Sequence, residues 1–192
     1  MATPRGQDAD WRDPWPVKGV RRGDPEPSPG AAALTDDGFV VCFDVETLPG
    51  DQDEYQDHLN NAAVVRMFNE LRTAYIAARF APDWPRYVRR QALTVAVREL
   101  HVLYESEGWL HERYVGATRV AQSRGKAVVV EQRLVEASTA RPLARAWVLQ
   151  LLVDADGGVT DWPSRFWDLV QDVQGSPAVR IADPARPAWG PP

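Results

Sequence analysis

The run over residues 50–80, GDQDEYQDHLNNAAVVRMFNELRTAYIAARF, constrains this chain more than any other stretch. Its second half places apolar residues at Val64, Met67, Phe68, Leu71, Ala74, Tyr75 and Ala78. Those steps of three and one put all seven side chains on one stripe of a helix, and such a stripe has to be buried. Pro82 and Pro85 end the helix, because proline cannot continue it. Asp57, Asn60 or Asn61 can cap its start, where a short side-chain oxygen satisfies unpaired N–H groups. The acids Asp51, Asp53, Glu54 and Asp57, together with His58, are thereby delivered to the amide-rich, positive end of the helix. There a carbonyl can be polarised and a base supplied beside it.

The rest of the chain reads as strands around this helix. Residues 39–47 (FVVCFDVET) carry aromatic and β-branched residues along their whole length, which suits a strand. Residues 84–90 read as a connector. Residues 93–105 form the next strand, with a slip of phase at Arg98-Glu99 that predicts a bulge. Strands follow at 110–123, 126–138 and 143–154, the first two joined by a hairpin in which Gly125 supplies positive φ. The strand at 143–154 is apolar on both faces near its end, as a central strand is. Pro163 opens a short second helix. One strand, a long helix, four strands and a short helix predict an α+β domain over residues 37–174, with an antiparallel sheet wrapped around a helix.

Residues 1–36 and 175–192 hold eleven of the sixteen prolines and little periodicity. They predict a loosely draped N-terminal arm and a C-terminal tail, since such segments bury too little apolar surface to offset the entropy of ordering. Trp11, Trp15 and Trp189 are the residues in them that would dock on the domain or on a second subunit.

The run Asp53…His58-Leu59-Asn60-Asn61-Ala62, followed by a long helix, resembles the signature of the hotdog-fold thioesterases. These act on 4-hydroxybenzoyl-CoA, acyl-CoA and acyl-carrier-protein (acyl-ACP) thioesters. Their signature is an Asp, a short turn, then Gly-His-Val-Asn-Asn or Gln-His-Val-Asn-Asn at the start of the central helix. The likeness extends over residues 37–172 and departs in two places. Asp57 stands where the family has glycine, and the acid-to-histidine spacing fits Glu54 when counted back from His58 but Asp53 when matched acid to acid. The resemblance implies a hotdog fold, no metal and no cofactor, and a homodimer or dimer of dimers with the site at the subunit interface. It implies Glu54 or Asp53 as base or nucleophile, Asn61 offering its N–H to the thioester oxygen, and His58 as either a catalytic or a bracing residue. On the same resemblance Asn60 would hold the turn, and Tyr55, Val64 and Phe68 would line the acyl path. The resemblance also implies that Arg124 and Lys126, at the hairpin, would meet the phosphates of CoA. Two further readings stay open: a non-catalytic module binding acyl-CoA or a protein partner, and an enoyl-thioester hydratase using Asp53 and His58.

Other classes are disfavoured by composition. A net charge of −5 and a pI near 5.2 argue against nucleic-acid binding, which needs a basic face. The single Cys42 leaves no intramolecular disulfide framework and no multi-cysteine metal site. His101 and His111 have no acid or cysteine at ligand spacing. The acid run lacks the mid-loop glycine and final glutamate of a calcium loop. No Gly-x-Ser-x-Gly elbow, P-loop or dinucleotide fingerprint occurs. With no bilayer-length apolar run and no signal-peptide core, a cytoplasmic protein is expected.

Overall fold

The computed structural model describes residues 17–176 and 178–181. In order, the elements are α1 (Pro29–Asp36), β1 (Cys42–Val45), α2 (Asn61–Tyr75), a π-helical turn (Ile76–Phe80), α3 (Asp83–Arg90), β2 (Thr94–Tyr104), β3 (Tyr114–Arg124), β4 (Ala127–Glu136), β5 (Pro142–Val153), β6 (Val159–Thr160), α4 (Ser164–Gln174) and β7 (Val179–Ile181).

The sheet order is β1-β3-β4-β5-β2, with β6 against β5 and β7 against β3. All pairs are antiparallel except β3 with β7. Met67, Phe68, Leu71 and Ala74 of α2 are fully buried, and Val64 and Tyr75 nearly so. They share one core with Tyr114, Val128, Leu134, Ala144, Val148 and Leu152 of the sheet. Fully burying a leucine or phenylalanine side chain stabilises by about 1.5–3 kcal/mol, so the apolar stripe holds helix and sheet together. Helix and sheet approach tightly at Gly116 of β3, where an added Cβ would stand 2.3 Å from Leu71 Cδ1. This is the hotdog arrangement, a curved antiparallel sheet around one long helix. The expected bulge is present, with a register shift between Val97 and Glu99 in the β2–β5 pair. Gly125 turns the β3–β4 hairpin at φ +52°.

Several expectations need correction. The connector at residues 84–90 is helical, as α3. The third strand starts at Tyr114 rather than 110, and the first is confined to Cys42–Val45. Within the arm assigned to residues 1–36, Val17, Val20 and Leu34 are buried while residues 21–24 stay exposed. Pro29 opens α1 and the Ser28 side chain accepts from Ala31 N–H at 3.2 Å. Leu34 then joins Phe39, Cys42, Val115 and Val135 in a second, smaller core. One buried leucine in an eight-residue helix is a weak linear signal, outweighed in the sequence by the surrounding prolines. Val20 bridges Val45, and both are buried. In the segment assigned to the tail, Val179–Ile181 pairs with β3. Trp11, Trp15 and Trp189 lie outside the described residues. Among the described residues no helix is long and apolar enough to cross a membrane, and no group of three His, Cys, Asp or Glu side chains converges to hold a metal.

Candidate active site at the start of the central helix

Asn60 is the residue that caps α2. Its Oδ1 accepts from Ala63 N–H at 2.7 Å, and its Nδ2 donates to the carbonyls of Gly50 and Gln52. One side chain thus ties the acid loop to the helix start. The loop closes as a small antiparallel ladder. Gln52 bridges Leu59, Asp53 N–H donates to the His58 carbonyl at 2.8 Å, and Asn60 N–H donates to the Asp51 carbonyl at 2.8 Å. Asp53 and His58 therefore face each other across the mouth of the loop, and Glu54 and Tyr55 project at its tip.

The acids separate by environment. Asp51 is 5% exposed and its carboxylate receives Arg66 in bidentate fashion, at 3.2 Å from Nε and 2.6 Å from Nη2, and Leu48 N–H at 2.7 Å. Asp53 is half-buried, and its Oδ1 accepts from Tyr55 and Gln56 N–H, so one of its oxygens braces the loop. Glu54 is exposed, without a hydrogen-bond or ion-pair partner among the described residues. Asp57, in place of the family glycine, accepts from Gln52 Nε2 at 2.8 Å across the loop.

The His58 ring lies between two oxygens, with Nδ1 2.8 Å from the Leu59 carbonyl and Nε2 2.7 Å from Gln56 Oε1. A neutral ring carries one N–H and can donate to only one of them, unless the Gln56 amide turns its NH2 inward. Its contacts are with the loop and not with the carboxylate of Asp53.

A cavity of about 270 Å³ opens at the first turn of α2. His58, Asn61 and Val64 form one wall, and Tyr104 to Gly108 with Leu143 form the other. Asn61 is the first helical residue, and an N–H at that position has no intrahelical acceptor. The dipole of α2 adds partial positive charge there. The cavity is thus lined by apolar Leu59, Val64 and Leu143 together with the residue that carries this backbone donor, a type of group that can stabilise a developing oxyanion.

Of the expected site residues, His58, Asn61 and Val64 meet at this cavity, with Asn60 and Asp53 directly behind them. The others do not. Tyr55 is 92% exposed at the loop tip. Phe68 is fully buried in the helix–sheet core and does not line the cavity. Arg124 and Lys126 sit at the opposite end of β3, ten residues and about 33 Å of strand from Tyr114. There Lys126 Nζ donates to the Val159 carbonyl, and Arg124 is 8% exposed beside Gln122.

Two features of the site escaped the linear reading. One is the Asp51–Arg66 pair. Its signal was that Arg66 is the sole cation in the first two turns of α2, close after a run of acids. The other is the network that holds the far wall through Ser106 and Gly108, for which the sequence carries no such signal. Tyr114 OH donates to Glu112 Oε2 at 2.6 Å, and Arg141 reaches both oxygens of Glu112 as well as Ser106 Oγ. Burial, and then the neighbouring Glu112, push the Tyr114 hydroxyl above the ordinary tyrosine range, so it stays a donor. Leu59 N–H donates to the Gly108 carbonyl at 2.7 Å and joins this wall to the acid loop.

Residues 47–175 match the family model described as the Thioesterase-like superfamily. No curated protein matches the chain. Among solved structures, a thioesterase-superfamily protein from Jannaschia sp. CCS1 is 20% identical with a TM-score of 0.65, over 81% of this chain and 96% of its own. A thioesterase from Thermus thermophilus, solved with coenzyme A and zinc, is 19% identical with a TM-score of 0.60, over 73% and 98%. A hypothetical protein from Staphylococcus aureus, solved with CoA, is 12% identical with a TM-score of 0.61, over 79% and 94%. At these identities the likeness to the solved structures is one of fold.

Proposed function

The chain belongs to the thioesterase-like superfamily, and we propose that it hydrolyses an acyl thioester of coenzyme A or of acyl carrier protein at the start of α2. The observation that carries this reading is the cavity into which Asn61 of the first helical turn opens beside His58, with Asp53 tied to the His58 backbone. The CoA-bound relatives of the same fold support the donor class.

In this reading the thioester carbonyl oxygen rests on Asn61 N–H. A carboxylate of the Asp53/Glu54 pair takes a proton from water while the water oxygen bonds to the carbonyl carbon. The tetrahedral oxyanion collapses, the C–S bond breaks, and the sulfur leaves as the thiol with the proton. In the covalent variant the carboxylate oxygen itself attacks, expels the thiolate and forms a mixed anhydride that water then opens. His58 orients the loop or the substrate through its two oxygen contacts. Release of free thiol from a panel of acyl-CoAs tests the reading. Thiol release by the wild type, with a loss of at least a hundredfold in kcat for Asp53→Asn or Glu54→Gln, supports it; equal rates in both variants and the wild type remove the carboxylate from the mechanism.

A second reading, a hotdog module that binds an acyl thioester without turning it over, is favoured by one observation. Asp53 Oδ1 is engaged by its own loop and Glu54 is exposed, so neither acid lines the cavity. Saturable acyl-CoA binding with no thiol release selects it. The hydratase reading requires a contact between His58 and Asp53 side chains, whereas the ring meets Gln56 and Leu59; loss of crotonyl-CoA absorbance is its assay.

We also propose a homodimer through β2. This strand ends the sheet order among the described residues and leaves Val97, Leu100, Leu103 and Tyr104 between 40 and 47% exposed. An open apolar strand edge is a template for a second copy. Tyr104 and Glu105 line the cavity from this side, so a partner on β2 would stand next to it.

A further inference from the structure

A second, larger cavity lies at the other end of α2. Its volume is about 610 Å³, within the range of roughly 300–1,000 Å³ typical of small-molecule sites. Among the described residues none lines both cavities, and Asn61 and Arg72 stand about 16 Å apart along the helix. The wall is aromatic and aliphatic, with Trp84 of α3, Val95 of β2, Trp162, and Phe166 of α4 among its residues. Trp84 stacks on Trp162 at 5.9 Å between ring centroids, and Trp162 meets Phe166 at 4.4 Å.

Among the described residues Arg72 is the only charged one that lines this cavity. Its guanidinium donates to Asn69 Oδ1 at 2.8 Å and reaches Gln132 Oε1 at 3.5 Å, both neutral oxygens. Gln132 is fully buried and held by donating to the Phe68 carbonyl and Thr118 Oγ1, so its oxygen is fixed toward the guanidinium. Among the described residues no carboxylate pairs with Arg72. Burial draws its pKa below the ordinary value, with no acid acting in the other direction. Arginine nonetheless remains a cation. A partly desolvated cation without a counter-ion is costly, and a carboxylate supplies both the charge and the bidentate geometry that a guanidinium fits.

We propose that this cavity is a second ligand site, which takes a monocarboxylic acid with an apolar body, its carboxylate on Arg72 and its chain against the tryptophan wall. The site does not depend on catalysis at the start of α2. Titration of the full chain with decanoate, followed by tryptophan fluorescence and calorimetry, tests it directly. Saturable binding is expected, and methyl decanoate, which lacks the charge, binds at least tenfold more weakly to the same wild-type protein. Arg72→Gln weakens decanoate by at least tenfold and Arg72→Lys by less, and Val95→Trp, which fills the cavity, abolishes binding while circular dichroism reports a folded protein. His58→Ala at the other cavity leaves the affinity unchanged. Equal affinity for acid and ester, an unchanged Arg72→Gln, no saturable binding, or loss of binding in His58→Ala each overturns the assignment.

Discussion

At the level of single residues, Asp51 and Asp53 sit two positions apart on one loop and are put to different uses. Asp51 lies under the loop, where Arg66 and Leu48 N–H surround its carboxylate; Asp53 lies at the mouth with one oxygen engaged. Removing one partner of a buried ion pair leaves the other charge uncompensated, which costs about 3–5 kcal/mol. Arg66→Met is therefore expected to lower stability by about 3 kcal/mol in urea unfolding, and thiol release, if present, to fall with it because the acid loop loses its anchor. Glu136 gives a pH prediction. Burial alone would raise its pKa, but the hydroxyls and N–H groups of Thr139 and Ser138 outweigh it and hold the carboxyl at about 2. A depressed carboxyl stabilises the fold above its ordinary pKa and loses that contribution as pH falls. Glu136→Gln is expected to be less stable than the wild type at pH 7, with the difference shrinking between about pH 4.5 and pH 2 as wild-type Glu136 protonates. Acid titration of both proteins by circular dichroism checks this.

At the level of elements, α2 and β3 meet where Leu71 fills the space left by Gly116. A methyl group there has to displace a buried leucine, and overpacking of this kind costs about 1–3 kcal/mol. Gly116→Ala is expected to lower the urea midpoint, and Leu71→Val in the same chain to recover part of the loss. Non-additivity in that double-mutant cycle is the readout. The stripe of α2, the β2 bulge and the Gly125 hairpin were legible in the sequence, because each depends on periodicity or on one residue's local chemistry; the cap was narrowed to Asp57, Asn60 or Asn61, and the structure selects Asn60. The helicity of α1 and α3 was not. Both are eight residues long, with prolines inside or just before them, and helices that short owe their stability to the surface they pack on. Leu34 and Trp84 provide those contacts, and a linear pattern cannot express them.

At the level of the whole molecule, the open β2 edge bears on assembly. Leu100→Glu combined with Leu103→Glu puts like charges on both copies of the proposed seam. Light scattering is expected to report a shift from dimer to monomer, with the monomer retaining its circular dichroism; an unchanged mass would move the interface elsewhere. The central helix, the strands that follow and the family motif at residues 58–61 could be read from the chain alone, since they show in periodicity, residue propensity and short local spacing. Folding settles which residue caps α2, which acid is spent on Arg66, which residues wall the cavity at the helix start, and that Arg72 lines a second cavity with no carboxylate beside it among the described residues. Those outcomes depend on groups brought together from distant segments. The charge, burial and hydrogen bonding of a side chain are set by whatever the fold places within a few ångströms of it, and no local pattern encodes that.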